Sequence, residues 1–201
     1  MVIKMAINLT KVLEKGNNIS LSKIETTTPL TKLIIGLGWD TQQASNGQAF
    51  DLDAQAFLLS SDGLLSSETN AVYYNNLVST DGSTTVSKDD RTGEGEGDDE
   101  VINIDLLKVS ADVQKIDFTI TIHEATERKQ NFGQVRNAYV RVINPDSGDV
   151  LIRYDLTEDF STETLIFVAS LYRHNGEWKF RAFGEGHSRT LQEYIYTMLP
   201  K

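Results

Sequence analysis

Residues 115–123 alternate without a break. Ile116, Phe118, Ile120 and Ile122 fall on one side, and Asp117, Thr119, Thr121 and His123 on the other. A period of two over nine residues is the signature of a half-buried antiparallel strand, because successive side chains of extended backbone point to opposite faces. Apolar or alternating runs rich in Ile, Val, Phe and Tyr recur at 19–24, 32–39, 51–60, 101–106, 138–144, 150–156, 164–172 and 178–183. Two short connections read as hairpin turns. They are Asn144-Pro145-Asp146-Ser147-Gly148-Asp149 and His174-Asn175-Gly176-Glu177, whose Asn-Gly pair suits a type I′ turn. Helical spacing is confined to the end of the chain, where Leu191, Tyr194, Ile195, Met198 and Leu199 recur behind Ser188 or Thr190 as cap, and to a short stretch at 126–130.

Many short strands with few helices predict a mainly all-β fold. The expected architecture is a two-sheet antiparallel β-sandwich with a C-terminal helix packed outside and short peripheral helices. Its 201 residues suffice for one ordinary core, and no shift of composition divides them. A single domain over 1–201 is expected, with Met5 as an alternative start that leaves 1–4 outside the fold. Without cysteine, disulfides, thiolate metal sites and a cysteine nucleophile are excluded. No apolar run approaches the ~20 residues of a membrane span, and the first residues lack the pattern of a secretory signal. The expected address is the cytoplasm, with peripheral attachment at the inner membrane face as a variant.

The charge is unevenly placed. The window 89–105 holds eight acids against Arg91 alone, so it carries −7 of the total of −10. An acidic pole of this kind argues against nucleic-acid binding, which relies on Lys and Arg to neutralise phosphates. Within it, Asp89-Asp90-Arg91-Thr92-Gly93-Glu94-Gly95-Glu96-Gly97-Asp98-Asp99-Glu100 fits neither the strand nor the helix period. Glycine lets backbone bend tightly and bare its carbonyls, while Asp and Glu supply carboxylates. Two like charges about 6 Å apart repel by roughly 0.7 kcal/mol in water and roughly 3 kcal/mol at an effective dielectric of 20. Several such pairs in a compact loop oppose folding unless a cation neutralises them, although a solvated loop of the same composition needs none. A second cluster, Asp51 and Asp53 on one strand face with Asp40 ending the preceding strand, makes a shared cation competitive. Calcium matches this donor set best, since it accepts six to eight oxygens in adaptable geometry. Zinc and copper favour His or Cys, and this stretch has neither.

These residues also carry a family resemblance. Gly36-Leu37-Gly38-Trp39-Asp40, Phe50-Asp51-Leu52-Asp53-Ala54 and the 89–100 stretch resemble the hallmark segments of TerD-type tellurite-resistance and stress proteins, as do 128–138 and 172–180. The resemblance spans nearly the whole chain in order. It implies a calcium-binding β-sandwich with no established catalytic activity, set among other tellurite-resistance and stress proteins. Separately, an acidic pole neutralised by calcium suits docking to a membrane surface or an anionic partner. By position it implies Asp40, Asp51, Asp53 and Asn75 as ligands. From the acidic stretch it adds Asp89, Thr92, the carbonyls of Gly95 and Gly97, Asp98, Asp99 and Glu100. So much oxygen is enough for two ions. The readings left beside it are calcium as a purely structural clamp and a carboxylate-based hydrolase. His123, His174 and His187 read as ordinary strand-end or surface histidines, Arg128, Lys129, Arg136 and Arg141 as solvated charge, and Trp39 and Trp178 as core.

Overall fold

The computed structural model describes residues 10–24, 29–40, 50–87, 98–156 and 160–201, with Asp40 described by its backbone alone. In chain order the strands are β1 Lys11–Val12, β2 Asn18–Ser20, β3 Lys32–Asp40, β4 Leu52–Leu59, β5 Ala71–Val72 and β6 Thr84–Val86. They continue with β7 Glu100–Asp105, β8 Lys115–Ile122, β9 Arg136–Ile143, β10 Val150–Asp155, β11 Leu165–His174 and β12 Glu177–His187. Helix α1 (Ala125–Arg128) follows β8, and α2 (Leu191–Thr197) follows β12.

Two six-stranded sheets result. One runs β1-β10-β9-β3-β7-β6 and the other β2-β12-β11-β8-β4-β5. Pairing is antiparallel except for β1, which lies parallel to β10. That one pair departs from a wholly antiparallel sandwich. A parallel pair needs a crossover connection, and the long stretch of chain between β1 and β10 supplies it. The region 19–24 also departs from the expected strand: only Asn18–Ser20 is extended, and Leu21–Lys23 winds into a 3-10 turn.

The alternation read from sequence decides which side chains meet between the sheets. Leu33, Ile35, Leu37 and Trp39 of β3, with Val140 and Val142 of β9, face Leu52, Ala54, Ala56 and Leu58 of β4 and Ile116, Phe118, Ile120 and Ile122 of β8. The other face of β4 is buried as well. Phe57 and Leu59 pack with Ile195 and Met198 in a second cluster, so α2 covers that side of the sheet. Helix α2 begins at a capping box. The Glu193 N–H donates to Thr190 Oγ1 at 3.2 Å, and the Thr190 N–H donates to Glu193 Oε2 at 2.8 Å. Polar residues on the covered face satisfy one another. Gln55 donates to Thr121 Oγ1 at 2.8 Å and accepts from Thr119 Oγ1 at 2.7 Å, while Ser170 donates to Asp117, which also pairs with Lys115. At the β11–β12 turn, Asn175 (φ 52°) and Gly176 (φ 79°) both take left-handed backbone, as a type I′ turn requires.

Candidate metal centre

Register brings separate acids to one end of the sandwich. Leu52 pairs with Ile122, and the His123 N–H donates to the Asp51 carbonyl at 2.8 Å, so β4 begins where β8 ends. Across the fold, Leu37 pairs with Glu100, so β7 begins beside the last residues of β3. The Asp99 N–H donates to Leu37 O at 2.8 Å, and the Trp39 N–H donates to an Asp99 carboxylate oxygen at 2.9 Å. The end of the acidic stretch is therefore stitched to β3. A tight turn closed by reciprocal Tyr73–Asn76 backbone bonds, each 2.9 Å, adds Tyr74 and Asn75.

Between these ends lies a cavity of about 630 Å³, lined by Asp51, Asp53, Tyr74, Asn75, Ser87, Glu100, His123 and Arg128, with Ala54, Leu77 and Val86 as its apolar wall. Asp53 is 6% and Glu100 3% exposed. Carboxylates this buried need countercharge, because desolvation penalises the charged form. Two nitrogen-bearing side chains, an imidazole and a guanidinium, stand among them. His123 Nδ1 lies 3.7 Å from Asp53, and Arg128 Nη1 lies 3.6 Å from Asp51. The Arg128 Nε also reaches Glu124 at 3.4 Å, and Glu124 holds left-handed backbone (φ 50°) at the start of α1. Burial pushes the Tyr74 phenol above its ordinary range, and the nearby Asp53 charge pushes it the same way. Tyr74 therefore lines the cavity as a neutral hydroxyl.

The donor chemistry fits a hard cation: carboxylate oxygens, the Asn75 amide and the Ser87 hydroxyl, with no thiol. Among the described residues, no three His, Asp or Glu side chains are gathered closely enough to hold one ion. Asp89, Thr92, Gly95 and Gly97 of the expected ligand set lie outside the described residues.

The remaining expected ligands part company. Asp40 ends β3 opposite Arg136 of β9, in the sheet that does not contain β4. It is thus not on a strand neighbouring Asp51 and Asp53, because the connection from β3 to β4 crosses between sheets. Asp98 turns to the outer face of its sheet. There it pairs with Arg141 Nε at 2.6 Å, its side chain only 6% exposed. The small residues of β3 make room on that face: a methyl group at Gly36 would overlap the Asp98 carboxylate, and one at Gly38 would overlap the Tyr139 ring. Tyr139 in turn lies under Arg153, whose guanidinium carbon is 4.2 Å from the ring centre. The structure thus gathers Asp51, Asp53, Asn75 and Glu100, uses Asp99 to fasten β3, and commits Asp98 to Arg141. The residues that the sequence reading passed over are His123, Arg128, Tyr74 and Ser87. His123 had a signal, since it extends the outward series Asp117, Thr119, Thr121.

A family profile described as the TerD domain matches residues 5–197. The chain belongs to the TerD domain family. Relatives of this TerD domain include the tellurium resistance protein TerD of Serratia marcescens, 52% identical over 88% of this chain and 90% of that protein. General stress protein 16U of Bacillus subtilis is 50% identical over 89% of this chain and 92% of its own length. Among solved structures, a homologue of telluride resistance protein (TerD) from Streptomyces coelicolor A3(2) superposes with a TM-score of 0.67. It covers 85% of this chain and 99% of that one at 23% identity, a likeness of fold. Among the described residues, no helix of this TerD domain is long and apolar enough to cross a membrane.

Proposed function

We propose that this TerD domain is a calcium-binding, non-catalytic module of a tellurite-resistance or general stress-response system, whose calcium-ordered loops engage a partner protein or a membrane surface. The observation that carries the reading is the meeting of Asp51, Asp53, Asn75 and Glu100, from separate strands and a turn, around one cavity. In sequence the acidic stretch 89–100 ends at Glu100, which lines the cavity. Asp51, Asp53, Glu100 and the Asn75 amide would draw in on calcium from the cavity wall, with Asp40, Asp89, Thr92 and the carbonyls of Gly95 and Gly97 adding oxygens for two ions, while Asp98 stays with Arg141 and Asp99 with the Trp39 N–H. Calcium would neutralise the crowded carboxylates and so order the chain around them. The names of the relatives support the resistance and stress setting. The cytoplasm is the proposed address.

Calorimetric titration with calcium and magnesium tests this. Calcium binding heat is expected in the wild type and is expected to be lost in Asp53→Ala and in Glu100→Gln. Equal heat in wild type and both variants would refute the site. A second reading, calcium as a structural clamp with binding elsewhere on the surface, is favoured by the Asp99 bond to Trp39, which anchors the acidic stretch in the scaffold. Capture on anionic liposomes and by stress-system partners, with calcium and with chelator, separates the two. Calcium-dependent capture supports docking through the loops, and calcium-independent capture supports the clamp.

A further inference from the structure

Arg128 sits where a cation site would have no use for a fixed positive charge. Its Nη1 is 3.6 Å from Asp51, and its Nε is 3.4 Å from Glu124. Its side chain is 23% exposed, whereas that of Glu124 is 58% exposed, so the guanidinium spans from the cavity wall to the solvent side. The left-handed backbone at Glu124 starts the single turn of α1, and the pair is spaced i, i+4 along it. Asp51 belongs to a different segment and is itself only 16% exposed. The guanidinium thus reaches a carboxylate inside the cavity and another at its rim.

We propose that Arg128 is a built-in competitor for the metal. In the metal-free protein it neutralises Asp51. A divalent cation on Asp51 displaces it, and Glu124 retains the guanidinium as it leaves. The inference rests on the calcium reading above and adds a residue that sets affinity without being a ligand. The physical ground is charge alone. A fixed positive group a few ångströms from a divalent ion repels it, and its pair with Asp51 must break before that carboxylate can ligate. Removing the charge is expected to tighten calcium binding about tenfold, the size of roughly one exposed-to-part-buried charge interaction.

The experiment is calcium titration by calorimetry on the full chain: wild type, Arg128→Gln, Arg128→Met and, as a control of equal charge change far from the cavity, Lys179→Gln. Tighter binding in both Arg128 variants with Lys179→Gln unchanged supports the proposal. So does calcium binding by the variants when the wild type shows none. Unchanged or weaker binding in the Arg128 variants overturns it while leaving the calcium site standing. No binding by any of the four proteins overturns both. The wild type gives a second readout that needs no substitution. The Arg128 Nε–H resonance is expected to shift on calcium addition as the guanidinium leaves Asp51, and a resonance indifferent to saturating calcium overturns displacement.

Discussion

Single side chains show how closely this chain is fitted. Gly36 has no tolerance for a methyl group, because the Asp98 carboxylate occupies that space beneath Arg141. Gly36→Ala is expected to destabilise the fold by about 1–3 kcal/mol in urea unfolding, since either the Asp98–Arg141 pair or β3 must shift. A loss under about 0.5 kcal/mol, the range of ordinary surface changes, would contradict the fit. Asp81 tests the pH dependence. Burial pushes its carboxyl up, but the Ser110 N–H at 2.8 Å, the Ser83 N–H at 2.9 Å and the Ser79 hydroxyl at 2.7 Å outweigh it and hold it below the ordinary range. A depressed folded-state value means that the stability Asp81 confers is whole above the unfolded carboxylate range near ~3.9 and is lost as pH falls through the folded value. Asp81→Asn is expected to cost about 1 kcal/mol at neutral pH and to flatten the acid limb of the stability curve. An unchanged acid limb would be the failure. Asp117 runs the other way. Burial raises its carboxyl despite Lys115, so its charge opposes folding as pH rises, and Asp117→Asn removes that slope.

At the scale of elements, periodicity carried most of the fold. The alternation at 115–123 became β8 with its apolar face inward, the Asn175-Gly176 turn took its expected backbone, and the C-terminal helix formed behind Thr190. Short strands escaped notice. Strands β1, β5 and β6 have two or three residues each, too few to show a period, and are defined by the partners they pair with. The burial of both faces of β4 was also hidden, because it depends on α2 returning from the far end of the chain. This dependence gives a test. Thr190→Ala removes the capping box and is expected to cost about 1 kcal/mol. Tyr196→Ala, on the exposed side of α2 at 75% exposure, is expected to change little. Equal effects in equilibrium unfolding would mean that α2 is not held by its cap.

For the whole molecule, the candidate site was legible in part for a plain physical reason. Sequence displays which carboxylates are abundant, and register decides which of them meet. Asp51, Asp53 and Glu100 converge because β4, β7 and β8 have their ends at one pole, whereas Asp98, two residues before Glu100, belongs to the opposite face of its sheet. The approach of His123 to Asp53 and of Arg128 to Asp51 depends on where the fold sets the end of β8 and helix α1 against the start of β4, which spacing alone does not display. Ligand binding to the native state alone raises apparent stability by mass action. Calcium is therefore expected to raise the melting temperature, chelator to reverse the rise, and magnesium to act more weakly because it gives up its waters reluctantly. The same melting curve in calcium and in chelator would count against a metal-ordered pole.

In the proposed metal centre, oxygens from distant parts of the chain share a divalent ion. The most direct test is anomalous diffraction from crystals grown with calcium. A peak is expected in the cavity about 2.3–2.6 Å from carboxylate oxygens of Asp53 and Glu100. A saturated crystal with those side chains free of metal, or with calcium bound only elsewhere, would contradict it.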